Sequence, residues 1–286
     1  HPHRGFETVT ATIEGILDHT DSLGNAGRYG QGDLQWMTAG KGIVHGEMFP
    51  LINDDAPNPT RFFQIWLNLP KESKMVDPGF AMHWADEIPK WTSDDGKCYA
   101  TVWAGSYMGK TALPPPPNSY ATHDLSEVSI IHVSIAPGGT FVLPAAQGGA
   151  GVNRRAYFIE GEQLDISGTL VRPGHYATLN ADRQAQMSNP APDGSGGAHT
   201  EVLVLQGKPI GDPVVQHGPF VMNTQQEIQQ AFADYQRTRF GGWPWEQDAV
   251  VFPRDKGRFS LQDGKEEVPR DGGSTASKVK KSSEEL

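Results

Sequence analysis

The chain has a single cysteine, Cys98, among 286 residues. That excludes an internal disulfide framework and any cysteine-built zinc or iron–sulfur centre, and it is compatible with a reducing compartment. Long apolar runs are missing as well. Stretches such as 202–205 are strand-sized, far below the ~18 residues of a membrane-spanning helix, so no membrane association is expected. Positive charge is in short supply: 24 Lys and Arg stand against 34 Asp and Glu, for a net charge of −10. Binding along nucleic-acid phosphates is driven by Lys and Arg displacing counterions, so direct nucleic-acid binding is not expected. No glycine-rich phosphate cradle precedes a helix, and Ser22, Ser106 and Ser134 lack the G-x-S-x-G setting of a nucleophile elbow. Cys98, beside Tyr99 in a strand-like stretch, reads as a buried and inert thiol.

Turn formers are plentiful. Gly 33 and Pro 22 sit in a chain that is 37% hydrophobic and 20% charged, a composition that favours many short strands over long helices. In Phe6-Glu7-Thr8-Val9-Thr10-Ala11-Thr12-Ile13 the threonines share one face and Val9, Ala11 and Ile13 the other, as in a half-buried strand. Further strand-like stretches lie at 33–37, 62–69, 99–103, 128–135, 156–159, 176–179 and 201–205, separated by glycine- and proline-rich turns. One helix is expected: Thr224-Gln225-Gln226-Glu227 has the capping-box pattern, Ile228, Ala231, Phe232 and Tyr235 follow at helical spacing, and Gly241, Gly242 and Pro244 end it. The fold class is therefore all-β, with strands short enough for barrels and one short C-terminal helix.

Two short patterns carry metal chemistry: His1-Pro2-His3, and His45-Gly46-Glu47 some forty residues on. In a strand, residues i and i+2 point to the same face, so each pattern sets two metal-competent side chains together. If the two strands neighbour each other in a barrel, His1, His3, His45 and Glu47 converge inside it. Three imidazoles and one carboxylate suit iron, manganese, nickel, copper or zinc and do not suit calcium. An octahedral ion would keep two positions open for dioxygen or a chelating substrate, which makes a redox-active iron the most economical choice. Glu7, four residues after His3, is a second candidate carboxylate. The C-terminal half has no H-x-H pattern, and His175 has no partner at metal-binding spacing.

The stretches His1-Pro2-His3-Arg4-Gly5-Phe6-Glu7-Thr8-Val9-Thr10, Gly32-Asp33-Leu34-Gln35-Trp36-Met37-Thr38-Ala39-Gly40-Lys41-Gly42-Ile43-Val44-His45-Gly46-Glu47-Met48 and Gln216-His217-Gly218-Pro219-Phe220-Val221-Met222-Asn223-Thr224 closely resemble the pirin family of the cupin superfamily. The resemblance implies a bicupin, two β-barrels of which only the N-terminal one binds metal. It implies one iron per chain on His1, His3, His45 and Glu47, other divalent metals being possible, with Glu7 structural or near the metal. The expected layout is a metal-binding barrel over 1–112 whose first strands are missing, a proline-rich linker over 113–122, a metal-free barrel over 123–223, a helix and aromatic segment over 224–253, and a polar, disordered tail over 254–286. The basic cluster Lys278, Lys280 and Lys281 in that tail reads as a solvated extension. Family members carry early strands ahead of the first histidine, so this chain is expected to begin inside a longer one.

The resemblance implies two activities. One is an iron dioxygenase of the quercetin 2,3-dioxygenase type, with a flavonol or similar phenolic substrate, Glu47 as ligand or base, and Phe6, Trp36, Met37, Phe63 and Trp66 as candidate pocket walls. The other is a redox-responsive transcriptional or signalling co-regulator that binds protein partners. A monomer located in the cytoplasm or nucleus is expected in either case.

Overall fold

The computed structural model describes residues 1–194 and 196–275. The chain forms two compact units, one made by His1–Glu87 together with the segment from Asp212 onward, the other by Ile88–Gly211. Apart from short 3-10 turns, the described elements are strands and one α-helix, α1 (Gln225–Thr238).

The first unit is built from β1 (Pro2–His3), β2 (Phe6–Glu14), β3 (Ile16–Asp21), β4 (Ala26–Gly30), β5 (Leu34–Thr38), β6 (Ile43–Met48), β7 (Arg61–Asn68) and β8 (Gly79–His83). They form two sheets, β1-β6-β3-β4 and β7-β2-β5-β8. The alternation along β2 is resolved by register: Thr8 lies opposite Met37 and Trp66, and Thr10 opposite Gln35 and Gln64. This threonine face meets the other sheet. Leu17 and Tyr29 of that sheet pack with Phe62, Met82 and Trp84, and the His19 ring lies 5.3 Å from Phe80.

The second unit repeats the plan with different residues. A six-stranded sheet runs from Tyr176–Thr178 through Asn153–Glu160, Thr200–Gly207, Ser129–Ile135 and Cys98–Ala104 to Lys90–Thr92, and a four-stranded sheet joins Thr140–Leu143, Ala185–Ser188, Leu164–Ile166 and Thr169–Val171. The core is apolar, with Val102, Ile131, Val133, Phe141, Phe158, Leu164, Met187 and Val204 buried in one cluster. Cys98 belongs to that cluster, and burial pushes its thiol up.

The units are cut differently from the expected layout, and strand pairing gives the reason. Cys98–Ala104 pairs with Ser129–Ile135, which draws residues 88–112 into the second unit. The proline-rich stretch 113–122 is then a loop within that unit, between Lys110–Thr111 and Ser129–Ile135. Residues 212–223 belong to the first unit: Phe220 bridges Arg4 in parallel, and the Val221 amide donates to the Arg4 carbonyl at 3.0 Å. The Thr224 capping box starts α1, which buries Ile228 and Ala231 against Phe220, Met222 and Phe240.

The segment from 254 on is also corrected as far as Thr275. Phe259–Gln262 adds to the free edge of β4 and pairs in turn with Lys265–Glu267. Composition misses this because the segment is mostly polar; ladder hydrogen bonds, buried ion pairs and the buried Phe259, edge-on to Phe252, hold the strap. Arg28, fully buried, makes a two-pronged contact with Asp18 at 2.6 and 2.8 Å and donates to the Phe252, Pro253 and Lys256 carbonyls. Arg258 donates to both oxygens of Asp33 at 2.7 and 2.8 Å, while Asp33 also accepts from the Gly30 and Ala85 amides. Lys278, Lys280 and Lys281 lie outside the described residues.

Replacing Arg258 by Leu leaves the buried Asp33 carboxyl without its cation. The expected loss is about 3–5 kcal/mol in denaturant unfolding, against less than about 1 kcal/mol for Arg254→Leu at the exposed pair with Asp54. Equal losses for the two variants would contradict the strap.

Candidate metal centre

β1 is only two residues long, and its pairing is what creates the site. Pro2 lies opposite Val44 and His3 opposite Ile43 in β6. The His1 nitrogen donates to the His45 carbonyl at 2.9 Å, and the His45 amide returns a bond to the His1 carbonyl at 3.0 Å. The chain after β1 is then fixed. Arg4 Nε donates to the Lys41 carbonyl at 2.6 Å, its Nη1 to Asp234 of α1 at 2.9 Å, and its guanidinium covers the Phe240 ring. Gly5 has φ +84°, and a Cβ there would fall 2.0 Å from the Val221 carbonyl oxygen, so only glycine fits. Buried Lys74 ties the same corner, donating to the Gly5 and Val221 carbonyls and to Asn68 Oδ1 at 2.7–2.9 Å.

On this frame His1, His3 and His45 converge, each offering a ring nitrogen within 4.8 Å of the others. His45 Nε2 stands 2.8 Å from His1 Nε2 and 3.1 Å from His3 Nε2. Two nitrogens bonded to one metal at about 2.1 Å and at right angles stand about 3.0 Å apart, so these separations fit neighbouring ligands of a single ion. Glu47, two residues after His45 on the same face of β6, brings Oε2 to 3.8 Å from His45 Nε2. Gln64 Nε2 donates to both Glu47 oxygens, at 3.0 and 3.2 Å.

Burial sets the protonation of the group. It pushes His3 down to about 4 and holds His45 well below its ordinary value, with His19 and His3 adding to the effect at His45. Both rings are neutral at pH 7 and can offer nitrogen lone pairs. Burial also raises the Glu47 carboxyl, against the opposing pull of His19 and Gln64. A nitrogen-rich set with one carboxylate fits a first-row transition metal.

Glu7 lies apart from this cluster. It is opposite Thr38 on the other face of β2 and accepts from Trp36 Nε1 at 3.0 Å and Thr38 Oγ1 at 2.8 Å. The expected pocket walls divide by the same parity. Phe6 and Trp66 flank His3, with ring centroids at 5.1 and 5.8 Å, and Met37 shares the inner face. Trp36 and Phe63 are on the opposite face, beside Val9 and Ala11, and do not line the site. His175 is on a surface turn against the Pro173 carbonyl, and His217 packs edge-on against Phe232.

Two participants escape the sequence pattern. His19 is fully buried, opposite Glu47 in the β3–β6 ladder, with its ring 5.4 Å from His45 and its Nε2 3.5 Å from Asp21. The available signal was the His19-x-Asp21 alternation, which repeats the two-residue period. Gln64 gave no signal, because its place depends on the pairing of β7 with β2.

Comparison with known proteins agrees with this architecture. The Pirin family model matches residues 1–67, and the model of the pirin C-terminal cupin domain matches residues 130–241. Human pirin is 34% identical over 245 residues, covering 84% of this chain and 77% of that one. A pirin-like protein of Caulobacter vibrioides is 37% identical over 247 residues, with 84% and 79% covered. A Pseudomonas aeruginosa protein carrying the provisional name quercetin 2,3-dioxygenase is 36% identical over 242 residues, with 82% and 77% covered. Among solved structures, a quercetin 2,3-dioxygenase from Acinetobacter baumannii superposes with a TM-score of 0.73 at 30% identity, covering 85% of this chain and 78% of that one. The two-unit β fold is a bicupin.

Two outcomes are expected. Glu7→Ala leaves the Trp36 and Thr38 donors short of an acceptor and lowers stability by about 1–3 kcal/mol, yet leaves the metal content measured by elemental analysis at the parental level. The metal-free protein loses stability as pH falls from 6.5 toward 4, because unfolded His3 takes up a proton in a range where folded His3 does not. Thermal melts across that range should show a shallower decline for His3→Gln; an unchanged slope would place the acid sensitivity elsewhere.

Proposed function

Because the chain belongs to the pirin family, we propose that it is an iron-dependent dioxygenase acting on quercetin or related flavonols, with His1, His3, His45 and Glu47 as the metal ligands. The observation that carries this reading is the meeting of three imidazole nitrogens within 4.8 Å, with a carboxylate oxygen 3.8 Å from one of them. The substrate class is supported by the quercetin 2,3-dioxygenase names of the Pseudomonas relative and the Acinetobacter structure.

Iron held there would supply a redox-active Lewis acid able to bind a chelating hydroxy-ketone and bring it together with dioxygen. The protein's own part is positioning and proton handling. His3 and His45, kept neutral by burial, spend no binding energy on losing protons at pH 7. Glu47, if it detached from the metal, would have its basicity raised by burial, which would suit it to accept the hydroxyl proton of a flavonol. Trp66, 44% exposed and packed on the buried Phe6 ring with centroids 4.3 Å apart, offers flat apolar surface beside His3 to a planar polyphenol.

The test is oxygen uptake by anaerobically iron-loaded protein given quercetin, with Glu47→Ala prepared in the same way. The parent is expected to consume oxygen, and the variant to be slower by about 10²-fold or more. No uptake by protein verified to hold iron, across a series of flavonols, would remove the enzyme reading and turn attention to protein partners whose binding depends on the iron oxidation state.

A further inference from the structure

Three of the four proposed ligands are imidazoles whose Nε2 atoms face one another, so each offers one lone pair in a direction set by its ring. Glu47 is different. A carboxylate can offer a metal one oxygen, two or none, and rotation of the side chain changes which. Something else must fix it, and the hydrogen bonds identify the group. Gln64 Nε2 stands 3.0 Å from Glu47 Oε1 and 3.2 Å from Oε2, and 3.4 Å from Thr10 Oγ1. Gln64 is directly opposite Thr10 in the β2–β7 ladder, so backbone pairing, Thr10 and the amide together define where the donor points. An amide N–H suits this task. It is neutral, so it neither repels a cation nor competes with it as a charge, and it stabilises a carboxylate oxygen that is not bound to metal.

We infer that Gln64 is the positioning residue for Glu47: its amide spans both carboxylate oxygens, with the shorter bond to Oε1, and so fixes the carboxylate with Oε2, which stands 3.8 Å from His45 Nε2, as the oxygen that ligates. The inference rests on the reading of Glu47 as a ligand. With Oε1 kept on the shorter Gln64 bond, Glu47 takes one coordination position; bound through both oxygens, it would take two and close a position that a chelating substrate uses. Gln64 thereby governs how many positions stay open without itself touching the metal.

The experiment uses cobalt(II) alone as probe, with neither flavonol nor dioxygen, so its result is independent of the proposed reaction. Cobalt affinity is measured by chelator competition for the parent, Gln64→Leu, Glu47→Ala and the double variant, and visible absorption of the bound cobalt reports coordination. Gln64→Leu is expected to bind cobalt about 10–100-fold more weakly than the parent, with altered band positions and a metal-free melting temperature close to parental. In the Glu47→Ala background, where three histidines remain to hold cobalt, the same substitution is expected to change affinity less than about twofold, since nothing is left for Gln64 to position. Parental affinity and spectrum in Gln64→Leu would overturn the inference. So would an equal loss with and without Glu47, which would mark Gln64 as a purely structural residue.

Discussion

The pairing of a two-residue strand with β6 carries the site. Two reciprocal backbone bonds between His1 and His45, and the pairing of His3 with Ile43, bring three imidazoles from two distant stretches of chain to one point. A strand this short cannot hold itself, and the surroundings do it instead: Arg4 is clamped by Lys41, Asp234 and Phe240, Gly5 is pressed against Val221, and Lys74 gathers the carbonyls around them. Most of those partners come from the segment after Asp212, so α1 and its neighbours act as a support for the histidine strand.

The two-residue period of β-structure made the centre legible. His1 with His3, and His45 with Glu47, share faces because nothing else is possible in extended chain, and the same period places Thr8 and Thr10 on the inner face. It fails where identity depends on a partner strand. Trp36 and Phe63 pass as pocket walls on chemistry alone, yet register turns them away. Gln64 looks like any polar strand residue until β7 is laid beside β2. His19 lay within reach of the same periodicity, but it was masked by the absence of a second histidine.

The division of the chain was the least legible feature. A run of four prolines resists strand pairing wherever it occurs, and it marks a loop inside the second unit as readily as a joint between units. The polar stretch after Arg254 has little apolar content to show in the sequence, whereas its hold on β4 comes from Arg28 and Arg258, whose charges are buried against Asp18 and Asp33. Burial also does the electrostatic work at the centre. The same loss of water that would punish a charged histidine keeps His3 and His45 as lone-pair donors and makes Glu47 more basic.

The unit that carries the histidine cluster is discontinuous in sequence: its β1–β8 come first, and the Arg4 clamp and the β4 strap come only after the whole of Ile88–Gly211. A ribosome makes these parts in that order. The second unit is continuous and is free to fold as soon as its last strand emerges, while the first waits, with β1 unsupported and the edge of β4 bare, for a segment still being made. Any interruption of synthesis between Gly211 and Phe259 therefore yields a protein whose complete half lacks the histidines and whose histidine half is incomplete.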